Sequence, residues 1–215
     1  LTAANGAAKV DLQLGHAHGY IDPGTQMSAD TFPPPSALRD LDRTADESSG
    51  NGQIAVREAQ PDDVDSLALL AQELLAFYGL PARNQRSYMA HVMTAELFER
   101  ESNLKILVSE TMGTVSGFLA YTEVFAFASC QRSFFIQDLF VTRKARSSGV
   151  GAALMGELLR LADETNVAQI DWTADPWNEK AVAFYEKLGP LLKSDKILYR
   201  LAGPALRQSV LDQKR

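Results

Sequence analysis

The chain has one cysteine, Cys130, in 215 residues, so no disulfide forms within it. A reducing compartment suits such a chain. The apolar and small neighbours of Cys130 predict a buried structural thiol. A basic surplus is also missing, with 21 Lys and Arg against 27 Asp and Glu and a formal charge of -6. Nucleic-acid binders usually carry the opposite sign, so nucleic acid is not an expected partner. No apolar run approaches the roughly 18 residues that would cross a bilayer, so no membrane partner is expected either. The first residues hold no basic stretch followed by an apolar one, and they are acidic rather than arginine-rich. The expected compartment is therefore the cytoplasm. Metal ligands are scarce. His16 and His18 alternate in "HAHG" with no third or fourth ligand near them, and no metal site is expected.

Apolar periodicity is lacking from residues 1–52, where Pro, Ser, Asp and Gly dominate. Such a segment buries too little surface to offset the entropy of ordering it, and it reads as a disordered acidic arm. Its three Lys/Arg against seven Asp/Glu give -4 of the chain's -6. The rest of the chain is close to neutral.

From Ile54 the pattern tightens, and residues 53–202 read as one domain with a tail at 203–215. "IAVREA" alternates as a strand, and Pro61, Asp62 and Asp63 open a helix whose apolar positions begin at Val64. A second helix is expected from about Arg83 to Arg100, with Met89, Val92, Met93 and Leu97 on one face. "LKILVSE", "TVSGFLAYTEVFAF" and "SFFIQDLFV" follow as strands, the last apolar on both faces and so central. A helix from about Gly149 to Glu164, a strand "AQIDWTA", a short helix "NEKAVAFYEKLG" and a final strand "KILYRLA" complete the series. The class is α/β with a mixed sheet.

Between strand and helix lies "VTRKARSSGVGAALM". A helix start offers N–H groups without partners and a partial positive charge. Gly149 and Gly151 let an anion reach those groups, and Arg143, Lys144 and Arg146 can neutralise it. The nucleotide loops fit badly. Gly151 is followed by Ala152 and Ala153 rather than Lys and Ser/Thr, and a dinucleotide fingerprint needs a third glycine in a first strand–helix turn. ATP and NAD are thereby disfavoured.

Arg146-x-x-Gly149-x-Gly151 after "DLFV" resembles the acetyl-CoA motif of the GNAT superfamily of N-acetyltransferases. "DPWNEKAVAFYEKLG" resembles that superfamily's later signature. The resemblance covers about Ile54 to Leu201 and is nearest to the diamine and polyamine acetyltransferase branch. It implies a mostly antiparallel mixed sheet flanked by about four helices, with strands splayed at the acetyl-CoA site. It implies that Ser147, Ser148, Gly149, Val150, Gly151 and Ala152 hold the pyrophosphate through backbone N–H groups, with Arg146 shaping and charging the loop. Arg143 and Lys144 would meet the 3′-phosphate, and Leu139, Phe140 and Val141 would line the pantetheine arm. Asn178, which also reads as a helix N-cap, and Ala181 would touch the cofactor. Tyr185 would sit near its sulfur as general acid.

The base has no motif of its own. Polyamine-acetylating relatives carry Glu-Asp where this chain has Gln137-Asp138, and strand alternation puts Asp138 on the opposite face from Gln137. Glu123 is the candidate base, and Phe77, Tyr78, Gln137 and Asp138 the candidate acceptor-binding residues. The expected partner is a small amine such as a diamine, an amino acid or a related molecule. A homodimer is the state that the branch suggests. Two alternatives stay open, a non-catalytic acyl-CoA-binding module and an acetyltransferase for protein lysines or N-termini.

Overall fold

The alternating segments assemble in chain order. The computed structural model describes residues 54–82, 84–189, 191–195, 197 and 199–212, and in these a five-stranded sheet runs β1-β2-β3-β4-β5. Its strands are β1 (Ile54–Glu58), β2 (Leu104–Thr111), β3 (Thr114–Ala126), β4 (Gln131–Val141) and β5 (Gln169–Trp172). Tight connections make β2, β3 and β4 antiparallel neighbours, and β1 also lies antiparallel to β2. β4 and β5 are parallel. A parallel pair needs a crossover, and the helix α3 (Val150–Glu164) provides it. The other helices are α1 (Val64–Phe77), α2 (Arg86–Thr94, running into a π turn at Ala95–Glu99), α4 (Glu179–Glu186) and α5 (Gly203–Asp212). No helix among the described residues is long and apolar enough to cross a membrane.

Each face of the sheet has its own packed layer. Leu107, Leu119, Phe134 and Ile136 meet Val150, Leu154, Met155 and Leu158 of α3. On the other face Val108, Phe118, Ala120 and Phe140 meet Leu67 and Leu70 of α1. Truncating a core leucine such as Leu158 to Ala would cost about 2–5 kcal/mol. A salt bridge sets the start of α1. Arg57 holds Asp63 at 2.6 and 2.9 Å and reaches Glu110 at 3.1 Å. That guanidinium keeps the Asp63 carboxyl below its usual range, although burial opposes it. Nearer the other end of α1, Glu73 accepts a hydrogen bond from Thr142 Oγ1 at 2.8 Å, tying the helix to the end of β4. A Cβ at Gly117 would lie 2.8 Å from Phe140 O and 3.2 Å from Val150 Cγ1, so glycine is what lets β3, β4 and the start of α3 close together.

The register of β4 corrects one expectation. Ala120 faces Asp138 but Tyr121 faces Ile136, so Gln137 is the extra residue of a β-bulge. Phe134 does not pack with Phe140. Phe134, Ile136, Leu139 and Val141 join the α3 face, whereas Phe140 joins the α1 face. Parity flips across Gln137-Asp138, and both side chains fall on the α1 side. Simple alternation had separated them.

Three other expectations change. Cys130 is exposed, because "FAFASC" forms the tip of the β3–β4 hairpin, with Phe127 87% exposed. The second helix starts at Arg86 and leaves α geometry at Ala95, and Val92 faces outward. The described residues of "KILYRLA" form no strand, and Ile197 and Tyr199 are exposed. Alternation marks a segment able to pair, and no strand edge receives the residues of it that are described. The arm at 1–52, with His16 and His18, lies outside the described residues.

Candidate active site

β4 and β5 pair only over Ser133–Ile136. The bulge begins at the next residue, and from Gln137 to Val141 the β5-facing edge has no strand partner among the described residues. Pairing ends there with β5 itself, so beyond Ile136 the edge of β4 borders a gap in the sheet. Leu139 and Val141 are half-buried against the α3 layer, and Phe140 is buried on the other face.

One side of the gap is made of backbone. Arg143–Ala145 form a short 3-10 turn, Ser147 has φ 64 and Gly149 has φ 88. The positive φ at Gly149 favours glycine there on backbone grounds alone. Ser148 Oγ donates to Ala145 O at 2.8 Å and Arg146 Nε to Val141 O at 3.0 Å, which fixes the loop. Ala153 N–H makes a helical bond to Gly149 O at 2.9 Å, so the N–H groups of Val150, Gly151 and Ala152 precede the ladder of α3. Gly151 is a different case from Gly149. A Cβ there would lie 3.6 Å from Phe184 Cζ, an ordinary contact. The protein itself would accept a methyl group, so packing does not demand glycine there. Arg143 and Lys144 are exposed beside this turn. The cradle suits a pyrophosphate.

The other side of the gap is made of side chains. Asn178 caps α4, its Oδ1 accepting Ala181 N–H at 3.3 Å. Tyr185, one turn further on, packs its ring 5.3 Å from Trp172 at the end of β5 and 5.2 Å from Phe184. Burial pushes its phenol up to about 12, with added contributions from Tyr78 and the Asp138 carboxylate. Tyr78, just past α1, is also raised, first by burial and then by the charges of Asp175 and Asp138 and a hydrogen bond with Asp175. Phe77, Tyr78 and Trp177 form a triangle of rings with centroids 5.4, 5.8 and 5.8 Å apart. The Arg146 guanidinium lies over Phe77, with Cζ 5.0 Å from that ring and 5.5 Å from Phe140.

The gap thus gathers Phe77, Tyr78, Asp138, Leu139 to Val141, the 146–152 turn, Asn178, Ala181 and Tyr185, with Gln137 at the bulge. Glu123 is not among them. It faces Phe134 across the ladder, toward the hairpin tip, and pairs with Arg132 at 2.5 Å. Sequence reasoning missed Trp172, Asp175 and Trp177. "DPW" directly before Asn178 was the available signal, since an exposed tryptophan at a helix entry has no core to fill. A separate open cavity of about 530 Å³ lies at the opposite edge of the sheet, between Glu58–Pro61 and residues 97–106. Its wall includes Gln60 and Pro61, where the chain enters α1 through a short 3-10 turn at Pro61–Asp63.

The sequence profile of the acetyltransferase (GNAT) family matches residues 68–189. The chain is similar to the D-amino-acid N-acetyltransferase HPA3 of Saccharomyces cerevisiae, 28% identical over 71% of this chain and 93% of that protein. It is also similar to the L-ornithine N5-acetyltransferase NATA1 of Arabidopsis thaliana, 29% identical over 43% of this chain and 41% of that protein. Among solved structures, an integron cassette protein from the mobile metagenome of V. cholerae aligns with a TM-score of 0.66 and 27% identity, over 73% of this chain and 97% of its own.

Proposed function

From the premise that the chain belongs to the acetyltransferase (GNAT) family, we propose that it moves an acetyl group from acetyl-CoA to the primary amine of a small molecule. That family uses acetyl-CoA as its acetyl donor. Bound in the gap, acetyl-CoA supplies a thioester carbonyl for a nitrogen to attack. The N–H groups from Ser147 to Ala152 take the pyrophosphate, and Arg143 and Lys144 face the 3′-phosphate. The open edge from Leu139 to Val141 pairs with the pantetheine amides as an added strand would. Arg146 shapes the loop through Val141, while Asn178 and Ala181 border the same channel.

Transfer needs a proton taken from the amine and one given to sulfur. The reacting nitrogen is an ammonium with an ordinary pKa near 10.4. Asp138 acts on both phenols electrostatically and is the carboxylate best placed to hold that ammonium and take its proton. Tyr185 stays protonated at neutral pH and donates to the departing thiolate. An ordinary thiol has a pKa near 8.5, so a phenol at about 12 is a reluctant donor. The proton that reaches Asp138 removes one charge that made it so. Asp138 then takes over the role first given to Glu123, and Gln137 can orient water but accept no proton.

The observation that carries this reading is the meeting of the α3 start and the Tyr185–Tyr78–Asp138 group at one strand split. Tyr185 beside a carboxylate favours turnover over a silent acyl-CoA carrier. The two curated relatives named above act on a D-amino acid and on ornithine, which supports an acceptor smaller than a polyamine. Thiol release from acetyl-CoA against a panel of small amines tests it. Turnover with at least one amine class is expected. Tight CoA binding with no turnover on any amine would overturn the proposal.

A further inference from the structure

The turn that leads from β4 to α3 is tied to the rest of the fold mainly at its first residue. Thr142 N–H donates to Ser116 O of β3 at 2.9 Å, and Thr142 O closes the 3-10 turn by accepting Ala145 N–H at 3.0 Å. Its side chain reaches the opposite way, Oγ1 donating to Glu73 Oε2 of α1 at 2.8 Å. One helical turn beyond Glu73, Phe77 lies under the Arg146 guanidinium, with Cζ 5.0 Å from the ring. One face of α1 therefore holds the turn at both ends. A carboxylate is an odd choice for this place. The half-buried Glu73 takes a hydroxyl as partner, although the exposed cations Arg143 and Lys144 follow Thr142 directly. A negative charge near a cradle for pyrophosphate opposes the ligand. Charge thus gives no reason for Glu73, and the bond to Thr142 does.

We infer that Glu73 is a positioning residue for the donor site: acting through Thr142, it sets the angle at which the turn presents its N–H groups to acetyl-CoA. A tilt at Thr142 is passed along the short turn to residues 147–152. This rests on the acetyltransferase reading and adds to it a residue that touches neither substrate. The link is one charge-assisted hydrogen bond. It needs an acceptor oxygen at residue 73 and a hydroxyl at residue 142, and it does not need the charge. Asp138 and Tyr185 stand on other elements, β4 and α4, so the transfer step itself is spared. No covalent step is added to the reaction.

The test titrates acetyl-CoA into the full chain and follows kinetics with any amine that the wild-type chain accepts. Glu73→Ala and Thr142→Val should each weaken acetyl-CoA binding, and raise its KM, about five- to tenfold. Their kcat at saturation should change about twofold or less. The double variant should bind within about twofold of the weaker single one, because both changes break the same bond. Glu73→Gln, whose amide oxygen still accepts from the hydroxyl, should bind within about twofold of wild type. Gln72→Ala controls for a general loosening of α1, since Gln72 donates to Asn84 O at 3.3 Å and does not reach the turn. It should bind acetyl-CoA as wild type does. Wild-type affinity in Glu73→Ala, or losses that add in the double variant, would overturn the inference. So would a Glu73→Gln chain as weak as Glu73→Ala, or an equal loss in Gln72→Ala. A wild-type chain that binds no acetyl-CoA would instead sink the acetyltransferase reading itself.

Discussion

The two sides of the β4–β5 gap are built on different principles. The α3 side is backbone: a left-handed glycine, an unfinished helix ladder and a strand edge. The α1 and α4 side is side chains: Phe77, Trp177, two tyrosines, two carboxylates and an arginine drawn from the end of α1, β4, the 146 turn, the 173–178 loop and α4. Backbone donors suit a partner that never changes, because they depend little on which side chains surround them. Side chains from several elements can be exchanged one at a time. The first arrangement fits an invariant donor, and the second fits an acceptor that sets specificity.

Mutations should separate the two sides. The largest effect is expected from Tyr185→Phe, which removes the proposed proton donor and should lower kcat by about 100-fold or more, with a far smaller effect on acetyl-CoA affinity in a titration. Because the phenol is held at about 12, the pH profile of the wild-type chain should show no loss of this acid up to about pH 10. Gly151→Ala should do the reverse. The methyl group fits against Phe184, so the thermal midpoint should hold while acetyl-CoA binding weakens about tenfold, the value of roughly one backbone contact to an anion. A smaller change is expected for Trp177→Ala, which should raise KM for the acceptor about three- to tenfold by opening the aromatic triangle. kcat should scarcely move. Smallest of all, Glu123→Gln should leave turnover within about twofold, since an exposed ion pair contributes little. A tenfold loss there would return the hairpin half of β3 to the active site.

The contrast between the sides also decides what could be read in the sequence. Gly149 and Gly151 record a backbone geometry at fixed spacing, so the turn was legible before any coordinates. The mixed sheet was legible too, and every strand pairs with its neighbour in the chain, β4 and β5 through a helical crossover. The acceptor side was only half legible. Phe77, Tyr78 and Asp138 were in view, but the bulge that sets Asp138 on their side has no turn residue to announce it. Its trace is a parity flip, with Phe134 and Ile136 on one face and Leu139, not Asp138, next on that face. Trp177 and Asp175 were hidden differently, because their role depends on a loop returning to α1 across more than ninety residues of chain. Cys130 and the "KILYRLA" stretch show the opposite error. Apolar neighbours predicted burial of the first and alternation predicted a strand for the second, yet Cys130 and the described residues Ile197 and Tyr199 are exposed.

The most direct test of the account is amide hydrogen exchange of the intact chain with and without saturating CoA. The account predicts slowed exchange in two places, residues 139–141 along the open edge of β4 and residues 147–152 at the start of α3. Unchanged exchange at both, or protection instead around residues 58–61 and 97–106 at the far cavity, would contradict it.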